Sequence, residues 1–88
     1  MATFEQHAYY RTTVLPKWAD YCGYANPGEM HYWLKVIHIP TSLWVWRDGS
    51  LEPPSCAHLS VEQFSDFLEA VLFHAGEERI YIPPPKGE

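Results

Sequence analysis

Ser60 to Gly76 is the stretch that leaves this chain least freedom. Ser60 is a good N-cap, and Gln63 three residues later completes a capping-box pattern. Apolar side chains follow at Val61, Phe64, Phe67, Leu68, Val71, Leu72 and Ala75, the spacing of a single helical stripe. Gly76 then offers a left-handed stop, so a helix over residues 61–75 is predicted. Its other face carries Glu62, Asp66 and Glu69, with no Lys or Arg anywhere in the helix. Acids in a first turn suit the helix dipole, but Glu69 lies too deep for that account.

A second, shorter helix is expected to start at Pro16, a residue suited to the first helical position. Trp18, Tyr21, Cys22 and Ala25 would line one face, Gly23 interrupts the pattern, and Asn26-Pro27-Gly28 ends it. Between the helices, Met30 to Ile39 and Leu43 to Arg47 are dense in aromatic and β-branched residues and read as strands. Pro40-Thr41-Ser42 would join them in a hairpin, Asp48-Gly49 would turn the chain again, and Pro53-Pro54 would break any strand. Ala8 to Leu15 and Glu78 to Ile82 read as outer strands. The predicted fold class is α+β: a small antiparallel sheet of about four strands, in the order β-α-β-β-α-β, packed with two helices. Residues 1–82 form one domain in this reading, and residues 83–88 a flexible Pro-rich tail.

The hairpin would place Trp33, Lys35, Ile37, Trp44 and Trp46 on one face, and Tyr32, Leu34, Val36, His38, Leu43, Val45 and Arg47 on the other. Both faces are largely apolar, which a sheet solvated on one side does not show. Either a helix covers each face, or the Trp-bearing face is open to a partner.

Length and charge narrow the function classes. The chain has 88 residues, room for one core, and 47% of them are apolar, which excludes wholesale disorder. The formal net charge is −5, so the chain lacks the cationic surface that sequence-independent nucleic-acid binding requires. The charge is uneven. Up to Asp48 the acids and bases balance, whereas from Gly49 onward Glu52, Glu62, Asp66, Glu69, Glu77, Glu78 and Glu88 face only Arg79 and Lys86. No apolar run is long enough to span a membrane, and residues 1–15 lack the pattern of a secretory signal. The two cysteines, Cys22 and Cys56, therefore read as reduced residues of a cytoplasmic protein.

Few residues suggest chemistry. Cys56-Ala57-His58 looks like half a zinc site that His7 and Cys22 would have to complete, but the chain holds no C-x-x-C or H-x-x-x-H pair, so neither metal nor cofactor is expected. His31, His38 and His74 read as partly buried, hydrogen-bonded side chains. No catalytic motif is present; a Cys–His pair formed in space would be the one route to a small enzyme. Trp33, Trp44 and Trp46 have too little positive charge around them to stack single-stranded nucleic acid.

A binding protein without catalysis is the expectation that remains. Phage inhibitors of host defence (anti-CRISPR or anti-restriction) and toxin-immunity proteins share its size and charge, an analogy with no motif behind it. Glu62, Asp66, Glu69, Glu77 and Glu78 would imitate phosphates and enter a basic groove on a protein that handles nucleic acid. The alternative is an immunity protein or assembly subunit that binds through an aromatic patch of Trp33, Trp44 and Trp46.

Overall fold

A computed structural model describes residues 4–84 and overturns the α+β expectation. The protein is 66% helical, with three helices and one sheet of two antiparallel strands. Three of the four predicted strands, over residues 8–15, 30–39 and 78–82, are absent, and of the fourth, Leu43 to Arg47, only Val45–Arg47 is a strand.

Helix α1 runs from Phe4 to Cys22 in three continuous pieces: α-helical Phe4–Tyr9, a π-helical turn Tyr10–Val14, and α-helical Leu15–Cys22. Residues 8–15, expected as a strand, lie inside it. Tyr9, Val14 and Leu15 keep right-handed helical dihedrals, so the chain does not break at the junctions. Pro16 accounts for the wide turn. A proline within a helix has no N–H for the carbonyl four residues back, and its ring crowds that carbonyl. Just upstream, the Leu15 N–H reaches back five residues to the Tyr10 carbonyl, which widens the helix where the proline would clash. Pro16 does sit in a first α-helical turn, as expected, but the residues before it are helical too. The helix stops at Gly23 (φ 78°), where Gly23 N–H donates to Asp20 at 3.3 Å and Tyr24 N–H to Ala19 at 2.9 Å. This is a Schellman motif, and it ends the helix short of Ala25.

Asn26-Pro27 begins helix α2 (Pro27–His38) instead of ending the previous one. The Asn26 side chain accepts from Gly28 N–H at 2.9 Å, Pro27 occupies the first turn, and Glu29 follows it there. Met30 and Leu34 are buried on one side, with His31, Lys35 and His38 half-buried beside them. The strand expected over residues 30–39 is therefore a helix.

The hairpin lies further along. Strands β1 (Val45–Arg47) and β2 (Ser50–Glu52) pair antiparallel, Val45 with Glu52, Trp46 with Leu51 and Arg47 with Ser50. Asp48 (φ 51°) and Gly49 (φ 80°) are both left-handed, the requirement of a two-residue primed turn. Buried Pro53 and Pro54 then lead through a 3₁₀ turn, Cys56–His58, to helix α3 (Val61–Glu77).

Helix α3 begins as predicted. Ser60 Oγ accepts from Gln63 N–H at 3.1 Å, and Gln63 Oε1 accepts from Ser60 N–H at 2.9 Å. Its end differs. Gly76 stays helical, and Arg79 (φ 62°) takes the left-handed position instead, with Arg79 N–H on Gly76 at 3.1 Å and Ile80 N–H on Ala75 at 2.8 Å. Ile80 packs on the core, the apolar contact that accompanies this motif. Residues 78–82 form no strand. Ile80 and Ile82 pack against the core, and Tyr9 Oη donates to the Pro83 carbonyl at 2.7 Å. Of the predicted tail, residues 83–88, Pro83 is held by Tyr9, and residues 85–88 lie outside the described residues.

The core joins Tyr10, Val14, Leu15 and Trp18 of α1, Met30 and Leu34 of α2, and Phe64, Phe67, Leu68 and Val71 of α3. The hairpin strands contribute nothing to it, since β1 is exposed throughout. Among the described residues no helix is long and apolar enough to cross a membrane.

The end of α3 yields a stability test. A non-glycine residue in the left-handed region costs about 1 kcal/mol, and an exposed helical glycine about 0.5–1 kcal/mol relative to alanine. A Cβ at Gly76 would meet nothing within 4 Å. Arg79→Gly and Gly76→Ala should therefore each raise the urea midpoint, by roughly those amounts in unfolding free energy. Gly23→Ala should lower it.

Candidate partner-binding surface

Glu62, Asp66, Glu69 and Glu77 occupy one exposed row on α3, spaced four, three and eight residues apart so that their side chains rise from the same side. The row is about 22 Å long at the rise of an α-helix. Phe73 stands between Glu69 and Glu77 in that row and is 71% exposed. The sequence reading passed over Phe73, although a step of four from Glu69 reaches it. Glu78, the fifth expected acid, points elsewhere: Tyr21 Oη donates to its Oε1 at 3.1 Å, and His74 Nε2 lies 3.9 Å from its Oε2. Among the described residues that His74–Glu78 contact is the only ion pair.

The three tryptophans do not form one face, because the sheet that was to display them does not exist. Trp33 is an exposed residue of α2, its ring edge-on to Tyr32 at 5.5 Å. Trp44 is half-buried against the core, and its indole N–H donates to the Ile39 carbonyl at 3.0 Å. It holds the segment after α2 in place. Trp46 sits on β1, 74% exposed and opposite Leu51.

Two polar pairs tie the helices together. Tyr10 on α1 bonds to His31 Nδ1 on α2 at 2.7 Å. Burial first, then the positive charges of Lys35 and Arg11, push His31 down to about 4, so its ring is neutral and accepts the tyrosine proton. Burial likewise holds the Tyr10 hydroxyl far above its ordinary range. On the other side, His38 Nε2 and His74 Nδ1 are 2.9 Å apart, linking the last turns of α2 and α3. Burial, and secondarily His74, lowers His38. The Trp18 ring lies against His74 at 4.9 Å, with its buried indole N–H unpaired. The expectation for His31, His38 and His74 thus describes what they do.

The cysteines are apart in environment, Cys22 exposed and Cys56 buried, and they are not bonded to each other. Burial raises the Cys56 thiol, the opposite of what activates a nucleophile. His7, the other imagined zinc ligand, stacks on Phe64 at 4.3 Å. Among the described residues no three of His, Cys, Asp and Glu come together to hold an ion.

The histidine ties predict an acid-sensitive fold. An unfolded chain takes up the His31 proton near 6.5, whereas the folded chain resists it until about 4. The unfolded state therefore binds more protons in that window. Stability is complete above neutral pH and falls as the pH drops through it, with His38 acting in the same direction. The loss between neutral pH and the lower end of the window should be roughly 2 kcal/mol, allowing for solvent that reaches the His31 ring. Urea titrations across the range should show it, and His31→Gln, which keeps a hydrogen-bonding side chain but cannot titrate, should flatten the slope.

Comparison with known proteins finds no matching family model, no matching curated protein and no matching solved structure, so the functional reading has to be carried by the geometry of the chain itself.

Proposed function

We propose that the chain is a non-catalytic binding protein that lays the acidic face of α3 into a basic groove on a nucleic-acid-processing complex. There it acts as an inhibitor by occupying the place of the nucleic acid, in the manner of an anti-CRISPR or anti-restriction protein acting in the cytoplasm. The observation that carries this reading is the row of Glu62, Asp66, Glu69 and Glu77, none of which forms an ion pair among the described residues. Like charges three and four residues apart destabilise a helix by about 0.2–0.5 kcal/mol per pair, and Glu77 stands at the dipole's negative end. Only Glu62, in the first turn, helps the fold. Side chains that weaken their own helix and meet no cation among the described residues are suited to an external one. Phe73 would supply desolvated contact in the middle of the row.

A second reading rests on Trp46 and Leu51, an exposed cross-strand pair on the hairpin. An immunity protein or assembly subunit would bind through this pair together with exposed Trp33. The expected outcomes separate the two readings. A partner retained by the acidic face should be released as salt rises from about 50 to about 500 mM, because screening shortens the reach of the carboxylates. The triple variant Glu62→Lys, Asp66→Lys, Glu69→Lys should weaken the complex at least about a hundredfold, and Trp46→Ala should leave it intact. Complexes that resist salt and are lost with Trp46→Ala would instead establish the hairpin as the binding surface.

A further inference from the structure

A cavity of about 120 Å³ opens where the end of α2 meets the first half of α3. Ile39, Pro40, Leu43, Leu59 and Phe67 give it apolar walls. Exposed Asp66 and half-buried Gln63 complete the lining on the α3 side. An adjoining groove shares those two residues and continues along Ser60, Val61 and Glu62. The cavity thus leads directly onto the N-terminal part of the acidic row.

Size and charge together define what fits. A dry apolar cavity of about 150 Å³ accepts a benzene ring, so this one takes a single branched aliphatic side chain. Its mouth is electronegative for two separate reasons. Asp66 and Glu62 contribute carboxylates, and α2 ends here with the negative pole of its dipole. Pro40 strengthens that pole, because it has no N–H to offer the Val36 carbonyl four residues back. The nearby Lys35 ammonium is engaged elsewhere, donating to the Pro54 carbonyl at 3.4 Å. His38, which also lines the cavity, is held by His74.

We propose that this cavity is the anchor socket of the α3 surface: it receives one leucine-sized side chain of a partner protein, while a lysine or arginine adjacent to that side chain meets Asp66 and Glu62. The proposal rests on the reading of α3 as the docking face, and supplies the apolar half of the recognition that the acids alone would lack.

Three peptides test it on the full chain by amide NMR titration: acetyl-Lys-Leu-Lys-amide, acetyl-Lys-Ala-Lys-amide and acetyl-Glu-Leu-Glu-amide. The Lys-Leu-Lys peptide should bind at least about tenfold more tightly than either of the others, with shifts centred on Leu43, Leu59, Gln63 and Phe67. Leu43→Phe, which fills the socket from its half-buried edge, should erase the preference for leucine over alanine and keep the preference for lysine over glutamate. Asp66→Asn should do the reverse. Equal binding of the Leu and Ala peptides, or no shift with any of them at millimolar concentration, overturns the socket and leaves the acidic docking face standing. Equal binding of the Lys and Glu peptides overturns the charged half of the proposal together with the reading beneath it. If Leu43→Phe loses its dispersed spectrum, the three peptides on the unaltered chain decide the matter alone.

Discussion

The ring of Tyr10 packs edge-on against Phe64 and Phe67 of α3, at 6.1 and 5.5 Å, while its hydroxyl reaches His31 on α2. One side chain of α1 therefore touches both other helices, at 1% exposure. A phenol buried so deeply has to find a partner for its O–H, and a neutral imidazole is a good one. The π-helical turn beginning at Tyr10 sets the position of that hydroxyl, and the turn follows from Pro16, which has no N–H for the Thr12 carbonyl, while Leu15 N–H reaches back five residues to the Tyr10 carbonyl. Proline in the middle of a helix, a costly residue by itself, is thus tied to the contact that joins the three helices.

The physical reason α2 reads as a strand is that its pattern is inverted. Its inward positions include His31, Lys35 and His38, and its outward ones Tyr32, Trp33 and Ile37. Apolar residues on the wet side and polar residues on the packed side blur the helical stripe into a continuous apolar run. The histidines tolerate this because each is satisfied by a side-chain bond, Tyr10 for His31 and His74 for His38. Asn26-Pro27 carried the correct signal, a cap followed by a first-turn proline, yet the same dipeptide also punctuates loops. Helix α3 was legible from Ser60 onward because its cap, its stripe and its first turn agree, and local agreement of that kind survives tertiary packing. Its end was not, since Ile80 docking on the core outweighs the turn preference of Gly76 and draws Arg79 into a conformation that glycine would hold more cheaply.

The acidic row was legible for the same reason as the helix that carries it: a helical period, once known, places every third and fourth residue on one side. Glu62, Asp66, Glu69 and Glu77 obey it, and Phe73 could have been found by the same count. Glu78 falls one residue past the helix, where the chain turns back and delivers it to Tyr21 and His74. The tryptophan face depended on strand pairing, a long-range property, and it dissolved with the sheet. Its members are divided between an exposed helix position, a half-buried strut and a hairpin.

Charge and stability are separable in this protein, and that separation bears on function. The helices are joined by aromatic packing and by histidine hydrogen bonds, and the single salt-bridge contact among the described residues involves an imidazole and an exposed carboxylate. Exposed pairs of that kind contribute little. Arg47 lies on the hairpin, Lys17 on α1 and Arg79 beyond α3, none of them in an ion pair with the acidic row. Among the described residues Glu78 is held by Tyr21 and His74, whereas Glu62, Asp66, Glu69 and Glu77 are in no ion pair. The field of α3 is left intact for an external cation, and the apolar cavity at its N-terminal end lies where the carboxylates are densest. Recognition that joins a screened, long-range attraction to one short-range apolar contact gains speed from the first and residence time from the second.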